Sequence, residues 1–298
     1  MTTGASITLP AEVWRPREQA HGDRIDELLT SHPPRGADGT PHPVWSFLFT
    51  YYNHKPSALR RWHPGFGVIL DDAPDHARRP GYRALTDGVG RPAATVDHGQ
   101  LHKRIDTARF VHRLLTATAA RAPRLNCFGL HEWAMVYRTD RTRHPVPMRL
   151  SAADTDAVVE SSQLRCTHID AFRFFTEPAA PRNQTRPMRE SQVADEQPGC
   201  VHAGMDLYKW AFKLSPLVVS DLVCDAFALA LDFRHLDMRA SPYDLTDHGL
   251  APVPVETPSG RADYVREQTA LADRAAAVRR RLIEATAALI DAHDRADP

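Results

Sequence analysis

The run from Ser215 to His235 carries Leu217, Val218, Val219, Leu222, Val223, Phe227, Leu229 and Leu231. On a helix these side chains fall on most faces, and a helix apolar nearly all round is stable only in the middle of a fold. The remaining elements must be arranged around it. Ser215-Pro216 offers a cap residue followed by proline at the first helical position, which predicts the start of this helix there. Further helices are predicted over the second half of 11–30, over 107–121 with its stripe Ala108, Val111, Leu114 and Leu115, and from Asn126 onward. Others are predicted over 152–161 behind the Ser151-x-x-Asp154 cap, and over 204–214. In 260–294, Leu271, Ala275, Val278, Leu282, Ala285 and Leu289 recur alternately four and three apart. That is the seam of a long strut packed on the domain or, alternatively, of a homodimer. Strand candidates are few: Tyr82–Leu85 and Ala93–Val96 lie in the Gly- and Pro-broken region 71–100, which is also the candidate lid or insertion. The expected fold is mostly α, a single helical domain over 1–298 with few short strands and long Pro-rich loops.

Basic and acidic side chains number 37 each, so no net positive field gathers polyanions. A nucleic-acid partner is therefore not supported by charge, although local runs such as Arg279-Arg280-Arg281 exist. A small molecule or a nucleobase is the substrate class that fits. No run reaches the roughly 18–20 consecutive apolar residues of a membrane span, so no membrane partner is expected. Met1–Pro10 lacks the pattern of a secretory leader. Cys127, Cys166, Cys200 and Cys224 form no close pair, which points to a cytoplasmic protein with reduced, mostly buried thiols.

Ionisable side chains and large aromatics interleave from Asn126 to Thr176, where burial can shift pKa values. Three chemistries fit. His131, His168 and His202, with Glu132 and Asp170, are the donor types that hold zinc, iron or manganese. The His131-Glu132 pair does not open an H-E-x-x-H motif, because Met135 stands where the second histidine would fall. Metal-free acid and base work is the second: Glu132 beside Trp133 and Asp170 beside Phe172 are carboxylates in apolar company, with Arg138, Arg149 and Arg173 as partners. Glu132, Asp170 and Arg173 form the candidate catalytic set. The third is covalent: Lys209, three residues after Asp206, or the thiols of Cys127 and Cys166. An Asp–Lys pair at that spacing is more often a local ion pair, and a buried thiol more often inert.

The aromatic run Trp45, Phe47, Phe49, Tyr51, Tyr52 and Trp62 reads either as core or as a wall for a planar ligand. The candidate substrate-binding residues are Tyr51, Tyr52, Trp62, Trp133 and Tyr137, with Asn183, Lys209, Asp237 and Arg239.

The pieces Phe49-Thr50-Tyr51-Tyr52, Leu59 to Gly67, Gly129 to Arg138, Asp170 to Thr176 and Asp237 to Leu245 resemble a family of proteins of about this length in high-G+C Gram-positive bacteria. That family is carried under the name 3-methyladenine DNA glycosylase. The resemblance spans most of the chain and implies hydrolytic removal of an alkylated purine. A flipped cationic base would stack on aromatic rings, and Glu132 or Asp170 would stabilise the oxocarbenium character or activate water. The chain lacks a helix-hairpin-helix with its glycine-rich hairpin and lacks a cysteine–histidine zinc pattern, so no catalytic residue carries over from either class. The alternatives are a His/carboxylate metal-dependent hydrolase or oxygenase acting on a small molecule, and a non-enzymatic helical ligand-binding protein.

Overall fold

The computed structural model describes residues 7–296; the leader reading of residues 1–10 lies, up to residue 6, outside them. The chain opens with strand β1 (Ile7–Leu9) and helix α1 (Ala11–Ser31), then short helices α2 (Phe47–Thr50) and α3 (Pro56–Leu59). Strand β2 (Val68–Leu70), helix α4 (Pro74–Arg78) and strands β3 (Tyr82–Thr86) and β4 (Pro92–Val96) follow. The rest is helical: α5 (His98–Ala119), α6 (Leu130–Ala134), α7 (Ala152–Glu160), α8 (Ile169–Phe172), α9 (Gln192–Asp195), α10 (Val201–Lys213), α11 (Ser220–Arg239) and α12 (Pro258–Ala296). The fold is mostly α, 54% helical with one small four-stranded sheet among the described residues.

Helix α11 is the axis that its composition demands, with Phe227, Phe233 and Ala230 fully buried and α1, α10 and α12 packed around it. Its start differs from the expectation. The Ser215-Pro216 peptide is cis, the chain turns there, and the helix begins only at Ser220. That residue is pinned at both ends: its N–H donates to the His63 carbonyl, and its hydroxyl accepts from the His63 N–H at 2.8 Å. Helix α1 is longer than expected and runs through Pro16. Trp14 anchors its first turn by donating to the Asp71 carbonyl at 2.9 Å and stacking on Trp62, while His21 and Ile25 bury the rest. Packing thus carries the helix past a proline that local propensity would avoid.

The sheet order is β1-β2-β4-β3, with β1 parallel to β2 and the other pairs antiparallel. Leu70, Ala73 and Ala94 pack with Trp14 and Trp62 into a small separate core. Residues 71–100 are therefore sheet and short helix seated on two tryptophans.

The heptad seam of α12 buries Tyr264, Gln268, Leu271, Ala275, Leu282, Thr286 and Leu289. It is covered by α5, α10 and α11 of the same chain, so the dimer reading of that seam is replaced by an intramolecular one. The basic run Arg279–Arg281 is no stripe either: Arg279 is buried, Arg280 exposed, and Arg281 pairs with Asp225 at 2.5 Å. No helix among the described residues is long and apolar enough to cross a membrane.

Helices α10 and α11 touch at Gly204, where a Cβ would meet the buried Phe233 ring at 2.2 Å. Gly204→Ala is expected to cost about 2 kcal/mol net, because overpacking a tight core outweighs the ~1 kcal/mol gained in helix propensity. The urea midpoint should fall with an unchanged slope; a midpoint at or above that of the parent chain would refute the close approach.

Candidate functional site

One face of α10 organises the ionisable groups. His202, Asp206 and Lys209 fall at i, i+4 and i+7, all buried. Asp206 accepts from the Tyr52 hydroxyl at 2.8 Å on Oδ1 and from the Lys209 ammonium at 2.7 Å on Oδ2. Lys209 also donates to Asp170 Oδ2 at 3.0 Å, and Asp170 Oδ1 accepts from the exposed Arg189 guanidinium. Tyr51, half-buried, accepts from Arg173 at 3.2 Å; Arg173 and Arg143 lie over the Phe174 ring. Asp170 thus joins a buried network to a rim of exposed arginines and aromatics.

On the other side of His202 stands a second group. His131 Nε2 lies 2.7 Å from Asp237 Oδ1, and Arg234 donates to Asp237 Oδ2 at 3.0 Å and to Glu132 Oε1 at 3.4 Å. Arg234 and Asp237 are fully buried within α11. The His202 ring sits between those of His131 and His168, at centroid distances of 4.5 and 5.4 Å.

The electrostatics follow from these pairings. Burial alone would lower the His168 pKa, but the carboxylates of Glu196 and Asp206 outweigh it and lift the imidazole to about 9. For His131 burial is likewise outweighed, by Asp237, and the shift is strongly upward. His202 has no such carboxylate of its own; burial, then repulsion from His131, pushes it well down. Burial would raise Asp206 and lower Lys209, yet their mutual attraction moves both the opposite way. With His131 and His168 protonated, the carboxylates Glu132, Asp170, Glu196, Asp206 and Asp237 face those two imidazoliums, Lys209 and Arg234 inside, and Arg189 and Arg173 at the exposed rim.

Two triples of buried donors, His131/His202/Asp237 and His168/Glu196/Asp206, have ligand atoms within 4.8 Å of one another. Their inner distances separate them. A tetrahedral ion with bonds of about 2.0–2.1 Å holds its donor atoms about 3.3–3.4 Å apart. His168 Nε2 lies 3.3 Å from Glu196 Oε1 and 3.5 Å from Asp206 Oδ2, which matches that edge length. The 2.7 Å between His131 and Asp237 is instead a direct hydrogen bond. Neither His168 nitrogen has a hydrogen-bond partner although the residue is 1% exposed. Its carboxylate neighbours are oriented from outside, Glu196 by the Gln192 amide and Asp206 by Tyr52 and Lys209.

Beside His131 and His202 lies a cavity of about 10 Å³, lined also by Cys127, Arg165, Cys166, Thr167, Cys200 and Gln268. It has room for a molecule the size of water and no more than a little larger.

Of the residues singled out from sequence, His131, His168, His202, Glu132, Asp170, Lys209 and Asp237 come together, with Tyr51, Tyr52 and Arg173 at their edge. The others are elsewhere or structural. Trp62 belongs to the small core with Trp14, so it cannot share a stacking slot with Tyr51. Trp133 is fully buried and donates to the Ala240 carbonyl; Tyr137 donates to Glu160; Arg239 pairs with Glu267. Asn183 clamps the Cys166 backbone with both ends of its amide, which fixes the segment leading to His168. Glu196 and Arg234 are not among the sequence candidates, and Asp206 is there only as the i, i+3 ion-pair partner of Lys209, a pair the structure contains. Asp206 was legible as the i+4 partner of His202, and Arg234 as a charge inside an otherwise apolar helix; Glu196, in a Pro-rich loop, carried no signal. The chain matches no protein-family model, no curated protein and no solved structure.

Proposed function

We propose that the chain is a metal-dependent enzyme acting on a small anionic molecule, with His168, Glu196 and Asp206 as metal ligands. The observation that carries this reading is the buried His168 imidazole, whose Nε2 stands at a ligand edge length from the Glu196 and Asp206 carboxylates without being aligned to either as a hydrogen bond. A divalent ion held by these three residues would supply Lewis-acid chemistry. Lys209 holds Asp206 and Asp170 in fixed relation, and Asp170 holds Arg189. The exposed guanidinium groups of Arg173 and Arg189 suit an anionic substrate group, and Tyr51 and Phe174 suit an apolar or planar portion beside it. Elemental analysis tests this. The chain should retain about one zinc, manganese or iron per molecule, and Glu196→Gln should lose it while keeping its fold by circular dichroism. A chain that takes up no ion, or a Glu196→Gln variant that keeps a full complement, would sink the reading.

A second reading, removal of an alkylated base, is favoured by the same rim, where aromatic rings and arginines surround Asp170. It expects free base released from methylated DNA, abolished by Asp170→Asn, and duplex binding that weakens with salt. No release and no binding would end it.

A further inference from the structure

Cys127 stands apart from the metal reading. Its Sγ lies 3.7 Å from His131 Nδ1, and the other nitrogen of that ring lies 2.7 Å from Asp237 Oδ1. Arg234 holds the far oxygen of Asp237, so the carboxylate cannot swing away from the imidazole. This is a thiol, an imidazole and an orienting carboxylate in succession, the arrangement that activates a nucleophile. The chain reverses sharply to make it: Phe128 and Gly129 have φ of 52° and 70°, and the turn folds the Cys127 side chain back over the first turn of α6. The water-sized cavity adjoins Cys127 and His131, and two of its lining residues bear buried polar atoms with no partner, Gln268 Oε1 and His202 Nδ1. A small molecule with both donors and acceptors is what such atoms would satisfy. Cys166 and Cys200 line the same cavity, but burial pushes both thiols up and holds them neutral. Neither has a comparable imidazole contact among the described residues.

We infer that Cys127, His131 and Asp237 form a reactive triad whose Cys127 sulfur is oxidised by a small peroxide entering this cavity. The Cys127 sulfur attacks one peroxide oxygen and the O–O bond breaks. Sulfur is oxidised to the sulfenic acid, the peroxide is reduced, the departing hydroxide takes a proton from the His131 imidazolium to leave as water, and the thiol proton passes to His131 in its place. The metal site plays no part in the step.

Hydrogen peroxide itself is the probe. The native chain, treated with a chelator and then with peroxide at pH 6, is quenched, unfolded and mapped for free and oxidised cysteine by mass spectrometry. Cys127 should oxidise at least about tenfold faster in the native chain than in urea, whereas Cys166, Cys200 and Cys224 should oxidise more slowly when native. His131→Gln should remove the advantage at Cys127; if that variant does not fold, the native-to-unfolded ratio still decides. A Cys127 that reacts no faster native than unfolded, or one whose rate collapses with the chelator, overturns the assignment.

Discussion

Arg234→Met is expected to lower the stability of the chain by about 3–5 kcal/mol, the usual cost of leaving a buried charge without its partner. The guanidinium is wholly enclosed and serves Asp237, Glu132 and the Val44 carbonyl at once. Methionine keeps most of the volume, so the loss should come from charge and not from a void. Asp237 would retain His131, but Glu132, whose second oxygen already lacks a partner, would be stranded. Adding Glu132→Gln to Arg234→Met should therefore recover part of the loss. Urea denaturation of both variants at neutral pH measures it. A deficit below about 1 kcal/mol, the range of exposed ion pairs, would mean that the two carboxylates are not charged together in the core.

Metal uptake is expected to tighten roughly tenfold per pH unit from about pH 6.5 to about 9, close to a hundredfold over two units. Below its folded pKa of about 9, His168 carries a proton that an ion must displace. The same shift fixes the sign for the metal-free chain. Because the folded pKa lies above the unfolded value, the protonated imidazole contributes stability that is fully present below about pH 6.5 and is lost as pH rises through about 9. The size is on the order of 3 kcal/mol. His131, shifted in the same direction, adds to it. Affinity measured by competition with a chromophoric chelator at several pH values checks the first half, and melting of the chelator-treated chain checks the second. An affinity flat across this range would show that the ion does not compete with the His168 proton.

Much of the architecture was readable because it rests on periodicity. The all-round apolar character of α11 forced it inward, and the four-three spacing of α12 foretold a long buried seam. What failed was punctuation. Ser215-Pro216 has the composition of a helix start, yet the cap of α11 is built by His63 from a distant segment, which no local pattern reveals. Pro16 reads as a break, yet Trp14 and Ile25 bury enough surface to carry α1 across it. The site shows the same division. His131, Asp170, His168 and Lys209 stood out as ionisable groups among aromatics, and Asp206 as the local partner of Lys209, but Asp237 reaches His131 from α11, Glu196 reaches His168 from the residue after α9, and Arg189 reaches Asp170 from the segment before it. The stacking wall failed for a related reason: aromatic density marks burial, and Trp62 and Trp133 are spent on packing in different places.

The close pairing of five buried anions with four buried cations and two rim arginines has an outcome for anything that enters. An interior whose charges are already paired accepts a doubly charged guest at least cost by letting positive charge out or bringing negative charge in. Loading would thus proceed as an exchange, hydrogen ion outward and metal inward, with hydroxide or an anionic substrate group settling the remaining difference. The molecule would behave as a minute ion-exchange resin whose selectivity is set by geometry, and the guest would hold a hydroxide or the substrate's own charge as a matter of neutrality.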